Sequence, residues 1–177
     1  IPDSGAITTE NAGAAKDKGG EVDLTLAPVR GLNIRAAATY LDAKYTDYGN
    51  AAIYSENPLP PFGNLPPVSD SADGNRLPYA PKLSFNVGGD YTAEFSGGSA
   101  VTFGANLSYA GRTFFHPDNR LFQDKLTLLD GYVQYKFADS GLSFKIWGQN
   151  LTNRDYCTGA VEFGNAAGDI CFTGSPR

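Results

Sequence analysis

The stretch KLSFNVGGDYTAEF, residues 82–95, alternates residue by residue. Leu83, Phe85, Val87, Gly89, Tyr91, Ala93 and Phe95 make one set. Lys82, Ser84, Asn86, Gly88, Asp90, Thr92 and Glu94 make the other. Every charge falls in the second set and every large apolar group in the first. A period of two marks a strand with two unlike faces. The alternation runs well past the five or six residues, roughly, of a soluble strand.

The same pattern recurs five times. In GEVDLTLAP, Val22, Leu24 and Leu26 oppose Glu21, Asp23 and Thr25. In LNIRAAATYLDAKY, Leu32, Ile34, Ala36, Ala38 and Tyr40 oppose Asn33, Arg35 and Thr39. In AVTFGANLSYAGR, Val101, Phe103, Ala105, Leu107 and Tyr109 oppose Thr102, Asn106, Ser108 and Arg112. LDGYVQYKF and LSFKIW repeat it with Val133, Tyr135, Phe144 and Ile146 against Gln134, Lys136, Ser143 and Lys145. The reading is all-β, with six predicted strands.

The connections are of two kinds, and they alternate. PVRG (28–31), SGGS (96–99) and ADSG (138–141) suit the tight turns of antiparallel neighbours. Residues 47–81, 113–123 and 157–177 are longer, and the first carries Pro58, Pro60, Pro61, Pro66, Pro67, Pro78 and Pro81, which bar a central strand. An antiparallel meander then puts all short turns at one end of the sheet and all long loops at the other. Long two-faced strands of this kind suit a wall between lipid and water. Such a wall must close into a barrel, because lipid offers backbone groups no partners. A soluble β-sandwich also alternates, but its strands are shorter and its loops need not segregate.

On the barrel reading, Phe85, Val87, Tyr91, Phe103, Leu107, Val133, Tyr135, Phe144 and Ile146 face lipid. Asn86, Asp90, Asn106, Gln134 and Lys136 face the lumen.

Composition changes this picture little. The net charge of −5 argues against a nucleic-acid surface, which would show clustered Lys and Arg. No apolar run has the length of a membrane-spanning helix. Abundant Gly, Tyr and Phe suit strands and tight turns. There is no Met, so Ile1 is not an initiator and a fragment is expected. The lack of a visible signal peptide therefore says nothing about location.

Several segments resemble one family. NAGAAKDKGGEVDLTLAPVRGLNIRAAATYLDAKYTDY (11–48) is similar to the late-barrel part of TonB-dependent outer-membrane receptors. There an Asn-Ala-Gly stretch, a Lys-Gly-x-Glu strand and a turn precede a strand ending in Asp-Ala-x-Tyr-Thr. NRLPYAPKLSFNVGGDY (75–91) resembles the family's Leu-Pro-x-x-Pro lead into a strand. LLDGYVQYKF and SGLSFKIWGQNLTNRDY (140–156) resemble its penultimate strands, with their aromatic-Gly-x-Asn-Leu signature. The final Ser-Pro-Arg resembles the start of its last strand.

The resemblance implies a transmembrane barrel of about 22 strands, of which these six would be about the sixteenth to twenty-first. Residues 1–177 would be a C-terminal portion of that barrel domain, with the plug domain, the TonB box and the final strand outside it. It implies a receptor and no enzyme, with no cofactor. Its partners would be the lipid bilayer of the outer membrane, the TonB complex acting through the plug, and a ferric siderophore or similar chelate as cargo. Family members also carry cobalamin, haem and glycans. Two other classes remain open: a small structural or adhesive outer-membrane barrel, and a soluble β-sandwich binding module.

No catalytic constellation is visible. His116, the single histidine, lies in a predicted outer loop and reads as a solvated residue. Asn106-Leu-Ser and Asn150-Leu-Thr match the glycosylation pattern as chance occurrences within strands. Cys157 and Cys171 lie in one loop, and a disulfide is expected for a protein folding through an oxidising compartment. A two-thiol metal site would lack further ligands. Tyr40, Tyr45, Tyr48, Tyr109, Phe114, Phe115 and Tyr156 sit where strands meet long loops. They read as an interfacial girdle or as a stacking surface for an aromatic cargo. Arg112, Arg120 and Arg154 lie nearby, either to attract an anionic chelate or to pair with Asp118, Asp124 and Asp155. Candidate ligand contacts are therefore Tyr48, Phe114, Phe115, His116, Arg112 and Arg120.

Overall fold

A computed structural model describes residues 13–164 and 168–175. Asn11 and Ala12 of the first family-like segment, and Pro176 and Arg177 of the last, lie outside the described residues. β1 (Ala14–Leu26) and β2 (Leu32–Asp47) open the chain. Four short strands follow in the first long connection: β3 (Ala51–Ile53), β4 (Glu56–Asn57), β5 (Gly63–Asn64) and β6 (Val68–Asp70). β7 (Leu83–Glu94) and β8 (Ala100–Ala110) form the next long hairpin. The second connection holds β9 (Thr113–Phe114) and β10 (Phe122–Gln123). β11 (Leu126–Lys136) and β12 (Ser143–Gly148) complete the main strands. β13 (Cys157–Glu162) and β14 (Asp169–Thr173) lie in the third connection.

The six main strands form one antiparallel sheet in the order β1-β2-β7-β8-β11-β12. Its register keeps the sequence sets together. Leu24 pairs with Ala36, Ala36 with Val87, Val87 with Leu107, and Leu107 with Leu129. Two rows on, Tyr91 pairs with Phe103, Phe103 with Val133, and Val133 with Ile146. Directly opposed residues share a face, so a one-residue slip anywhere would mix the two sets. None occurs between Leu24 and Ile146. The polar face shows the same continuity. Asn33 Nδ2 donates to Asp90 at 3.0 Å, Asn86 Nδ2 to Ser108 at 3.0 Å, and the Thr92 and Thr102 hydroxyls meet at 2.9 Å.

Neither face is covered. On the apolar side Val22 is 68% exposed, Phe144 62% and Ile146 65%. The buried apolar residues, Ala43, Ala51, Ala72, Phe115 and Ala160, lie at the end of β2 or in the long connections. A sandwich would bury one face of this sheet against a second sheet. The described residues form no such layer, which overturns the β-sandwich alternative. The linear strand order also leaves β1 and β12 as edges, so these six strands do not close on themselves.

The turns explain the short connections. Gly31 adopts φ +83°, and an added Cβ would strike the Thr92 carbonyl oxygen. Only glycine fits both demands. Within the sheet, Gly104 lies under the ring of its cross-strand partner Tyr132. Lys145 Nζ sits 3.8 Å from the centre of that ring, on the polar face.

Three details differ from the sequence reading. β1 begins at Ala14, not near Glu21, and β2 runs to Asp47. Beyond Tyr40 the two strands keep pairing, Lys18 with Asp42 and Lys16 with Lys44, but the apolar set has ended. Periodicity fades there because nothing apolar needs covering. Residues 157–173, read as loop, form the β13–β14 hairpin instead. Residue Asn150 lies in the turn after β12, not within a strand.

Candidate functional site

All three long connections, residues 48–82, 111–125 and 149–175, leave the same end of the sheet, as the meander requires. They pack on one another instead of lying free. In the first, β3 pairs with β6 and β4 with β5, making a nested hairpin. Its return limb docks on the second connection. Tyr79 N–H donates to the Phe114 carbonyl at 2.9 Å. Asn119 acts as a two-way clamp: Arg76 N–H donates to its Oδ1 at 2.8 Å, and its Nδ2 donates to the Arg76 carbonyl at 2.8 Å. Asn119 has φ 57°, a conformation asparagine tolerates better than most residues. Tyr79 also has a positive φ of 58°, which is strained for an aromatic residue. Its ring packs 5.7 Å from the buried Phe115, on the exposed side of the loop layer.

The third connection is anchored by Asn150, whose side chain is almost fully buried. Its N–H donates to Asp130 at 2.8 Å. Its Nδ2 donates to the Arg154 carbonyl at 2.9 Å, and its Oδ1 accepts from Arg154 N–H at 2.9 Å. The aromatic-Gly-x-Asn-Leu signature thus has a structural cause: this Asn closes the turn after β12, and Leu151 covers Gly131 and Gly148 on the apolar face. Asn150→Ala is expected to cost about 1–3 kcal/mol, because the Arg154 N–H and carbonyl lose their side-chain partner. A lower denaturant midpoint for the intact protein checks it. Cys157 and Cys171 are joined by a disulfide across β13 and β14, with Cα atoms 5.7 Å apart.

Where the three connections meet, a charged cluster forms. Arg120 Nε donates to Glu162 Oε1 at 2.8 Å, and Arg120 Nη2 donates to Asp169 Oδ1 at 2.6 Å. Asn64 Nδ2 donates to Asp169 at 2.7 Å and to the Phe163 carbonyl at 3.1 Å. Tyr54 N–H donates to Asp118 at 3.4 Å. His116 Nε2–H donates to the Ala160 carbonyl at 3.0 Å, and its Nδ1 lies 3.8 Å from Glu162 Oε2. Burial, then the neighbouring Asp118, push the Glu162 carboxyl up to about 7, against the pull of Arg120. Burial also raises Asp169, but hydrogen bonds from Arg120 and Asn64 outweigh it and leave that carboxyl lowered. Burial opposes the Arg120 charge, yet Asp169 and Glu162 raise its pKa overall.

This arrangement redistributes the sequence candidates. His116 is not a free solvated residue: both ring nitrogens face protein groups. Arg120 pairs with Glu162 and Asp169, two residues the sequence reading did not single out. The one signal for Glu162 was an acid set between Val161 and Phe163 in an apolar stretch. Phe115 is only 6% exposed. Tyr48 packs against Tyr45 at 5.1 Å. Arg112 pairs with Asp124 at 3.3 Å and stacks 4.2 Å over Phe122, near the surface. Phe114 meets Phe122 edge-on at 5.9 Å. Arg154 is held through its main chain by Asn150. Tyr109 stacks on Phe85 at 4.8 Å, on the apolar side. Among the described residues, no three His, Cys, Asp or Glu side chains are grouped to hold a metal.

Residues 1–151 match the family described as TonB dependent receptor-like, beta-barrel. The chain belongs to this family. It is a family of transporters and receptors. The ferrichrome outer membrane transporter/phage receptor of Escherichia coli (strain K12) is 24% identical over 176 residues, covering 98% of this chain and 20% of that protein. The siderophore receptor PiuA from Acinetobacter baumannii is 21% identical with a TM-score of 0.70, over 92% of this chain and 20% of that one. The ferric yersiniabactin uptake receptor FyuA from Yersinia pestis is 20% identical with a TM-score of 0.72, over 93% and 22%. The two structures share the fold, an antiparallel barrel wall. This chain spans about a fifth of the length of each of these relatives.

Proposed function

We propose that this chain is a section of the wall and outer loops of an outer-membrane receptor that imports a ferric siderophore or similar chelate. The observation that carries the reading is the two-faced sheet. Its apolar face is continuous over six strands and uncovered, and its polar face carries hydrogen-bonded Asn, Asp, Ser and Thr. A twelve-residue strand rises about 40 Å. Tilted in a barrel, that is enough to cross an apolar band about 25 Å tall. The cargo class is drawn from the relatives, whose names specify ferrichrome, siderophores and ferric yersiniabactin.

On this reading residues 1–177 are a C-terminal part of the barrel domain. The plug domain, through which the TonB complex would act, and the last strand belong to the rest of the protein. The outer connections form the mouth. Arg112, stacked on Phe122, and Phe114 beside it are the cargo-facing candidates. Phe115, His116 and Arg120 are engaged within the loop layer instead.

The test is equilibrium binding of a panel of ferric chelates to the full-length receptor in detergent, with iron uptake into cells alongside. One chelate class should bind, its uptake should need the TonB complex, and Arg112→Ala should weaken binding severalfold. A full-length protein that binds no ferric chelate and restores no iron uptake would overturn the reading in favour of a structural or adhesive barrel.

A further inference from the structure

Four carboxylates, Glu56, Asp118, Glu162 and Asp169, surround one guanidinium, Arg120, and one imidazole, His116. They come from three separate connections. Glu56 and the nearby Tyr54 belong to the first, His116, Asp118 and Arg120 to the second, and Glu162 and Asp169 to the third. The Glu162 side chain is wholly covered, whereas Glu56 stands mostly in solvent. Glu162 Oε1 receives Arg120. Its Oε2 has no hydrogen-bond partner among the described residues.

That orphan oxygen faces His116 Nδ1 at 3.8 Å, and the Asp118 carboxylate stands beside the same carboxyl group. The other ring nitrogen already donates its proton to the Ala160 carbonyl. Without a further proton, Nδ1 and Oε2 are two acceptors pointed at each other. A proton on Oε2 turns the contact into an attraction. A buried acceptor left without a donor is costly, so the packing favours the protonated pair.

We propose that Glu162 and His116 form a proton-operated latch that fastens the β13–β14 hairpin to the second connection. Through Asp169 and Asn64 the same closure holds the first connection. The direction follows from linkage. Glu162 sits near 7 when closed in and near its ordinary 4.5 once the hairpin swings into water. The closed form therefore binds the proton more tightly. Closure is strongest in acid, below the ordinary value, and weakens as pH rises through about 7. In the ionised state the four carboxylates outnumber Arg120, and their repulsion favours opening.

The latch is independent of the cargo, and its test needs none. Amide hydrogen exchange is followed in the intact receptor in detergent at about pH 5.5 and about pH 8.5, corrected for the chemical exchange rate. Exchange in β13, β14 and residues 113–123 should rise at least about tenfold towards the alkaline end, while β7 and β8 stay unchanged. Glu162→Gln, a neutral side chain of the same shape, should flatten the profile. Should that variant fail to assemble, infrared spectra of the wild type decide. A protonated carboxylic acid band should vanish with a midpoint near 7. A flat wild-type profile, an unaltered slope in Glu162→Gln, a rise shared equally by β7 and β8, or no such band would each overturn the latch.

Discussion

Val87→Arg in the intact barrel is expected to cost about 2–4 kcal/mol of stability, and Asn86→Arg, one residue away, far less. The two positions are adjacent in sequence but lie on opposite faces. Val87 sits mid-strand in the apolar row, paired with Ala36 on one side and Leu107 on the other. A guanidinium there would stand in hydrocarbon with no partner. Asn86 sits on the polar face, bonded to Ser108. Arginine at that point loses one hydrogen bond but keeps its charge in water on the polar face. Denaturant titration of both variants in lipid vesicles measures the difference. Equal costs at the two positions would remove the lipid assignment. A reversed order would place lipid on the other side of the sheet.

Much of this sheet was legible because lipid and water impose opposite demands on alternate residues. The sets read from residues 82–95 and 100–112 remain together across every rung of β7 and β8. Periodicity also located the short turns, since a meander fixes which end they share. It failed where that demand ends. The first seven residues of β1, AAKDKGG, carry lysine and glycine at positions of the apolar set. Their strand is held by backbone pairing to β2 beyond the apolar band, which leaves no trace in side-chain hydrophobicity.

The outer connections were legible in composition but not in contact. Arg112 and Asp124 are close in sequence, and their pairing was among the alternatives considered. Arg120 lies on the second connection and Glu162 and Asp169 on the third, and only the folded loops bring each carboxylate within 3 Å of the guanidinium. Asn150 was visible as part of a family signature without its reason. The reason is geometric: φ 48°, two side-chain bonds to the Arg154 main chain within the turn, and an N–H held by Asp130 on β11. A residue chosen for backbone closure looks, in sequence, like any other polar turn residue.

Residues 1–177 expressed alone are expected to aggregate or to require detergent, and to bind no ferric chelate. Among the described residues β1 pairs only with β2 and β12 only with β11, so each outer edge presents a row of unpaired N–H and C=O groups. In lipid each such group costs several kcal/mol, which the missing neighbouring strands would otherwise relieve. Bacterial barrels that stand alone begin at about eight strands, two more than this sheet supplies. In water the difficulty moves to the faces. Val22, Leu24, Phe103, Phe144 and Ile146 form one continuous exposed apolar surface with no second layer to cover it. Exposed apolar surface of that extent drives association. Light scattering and size-exclusion chromatography of the refolded chain, with and without detergent, provide the measurement. A soluble monomer that unfolds cooperatively without detergent would mean that these strands bury their apolar face by themselves. That result would undo both the barrel-wall assignment and the transport function built on it.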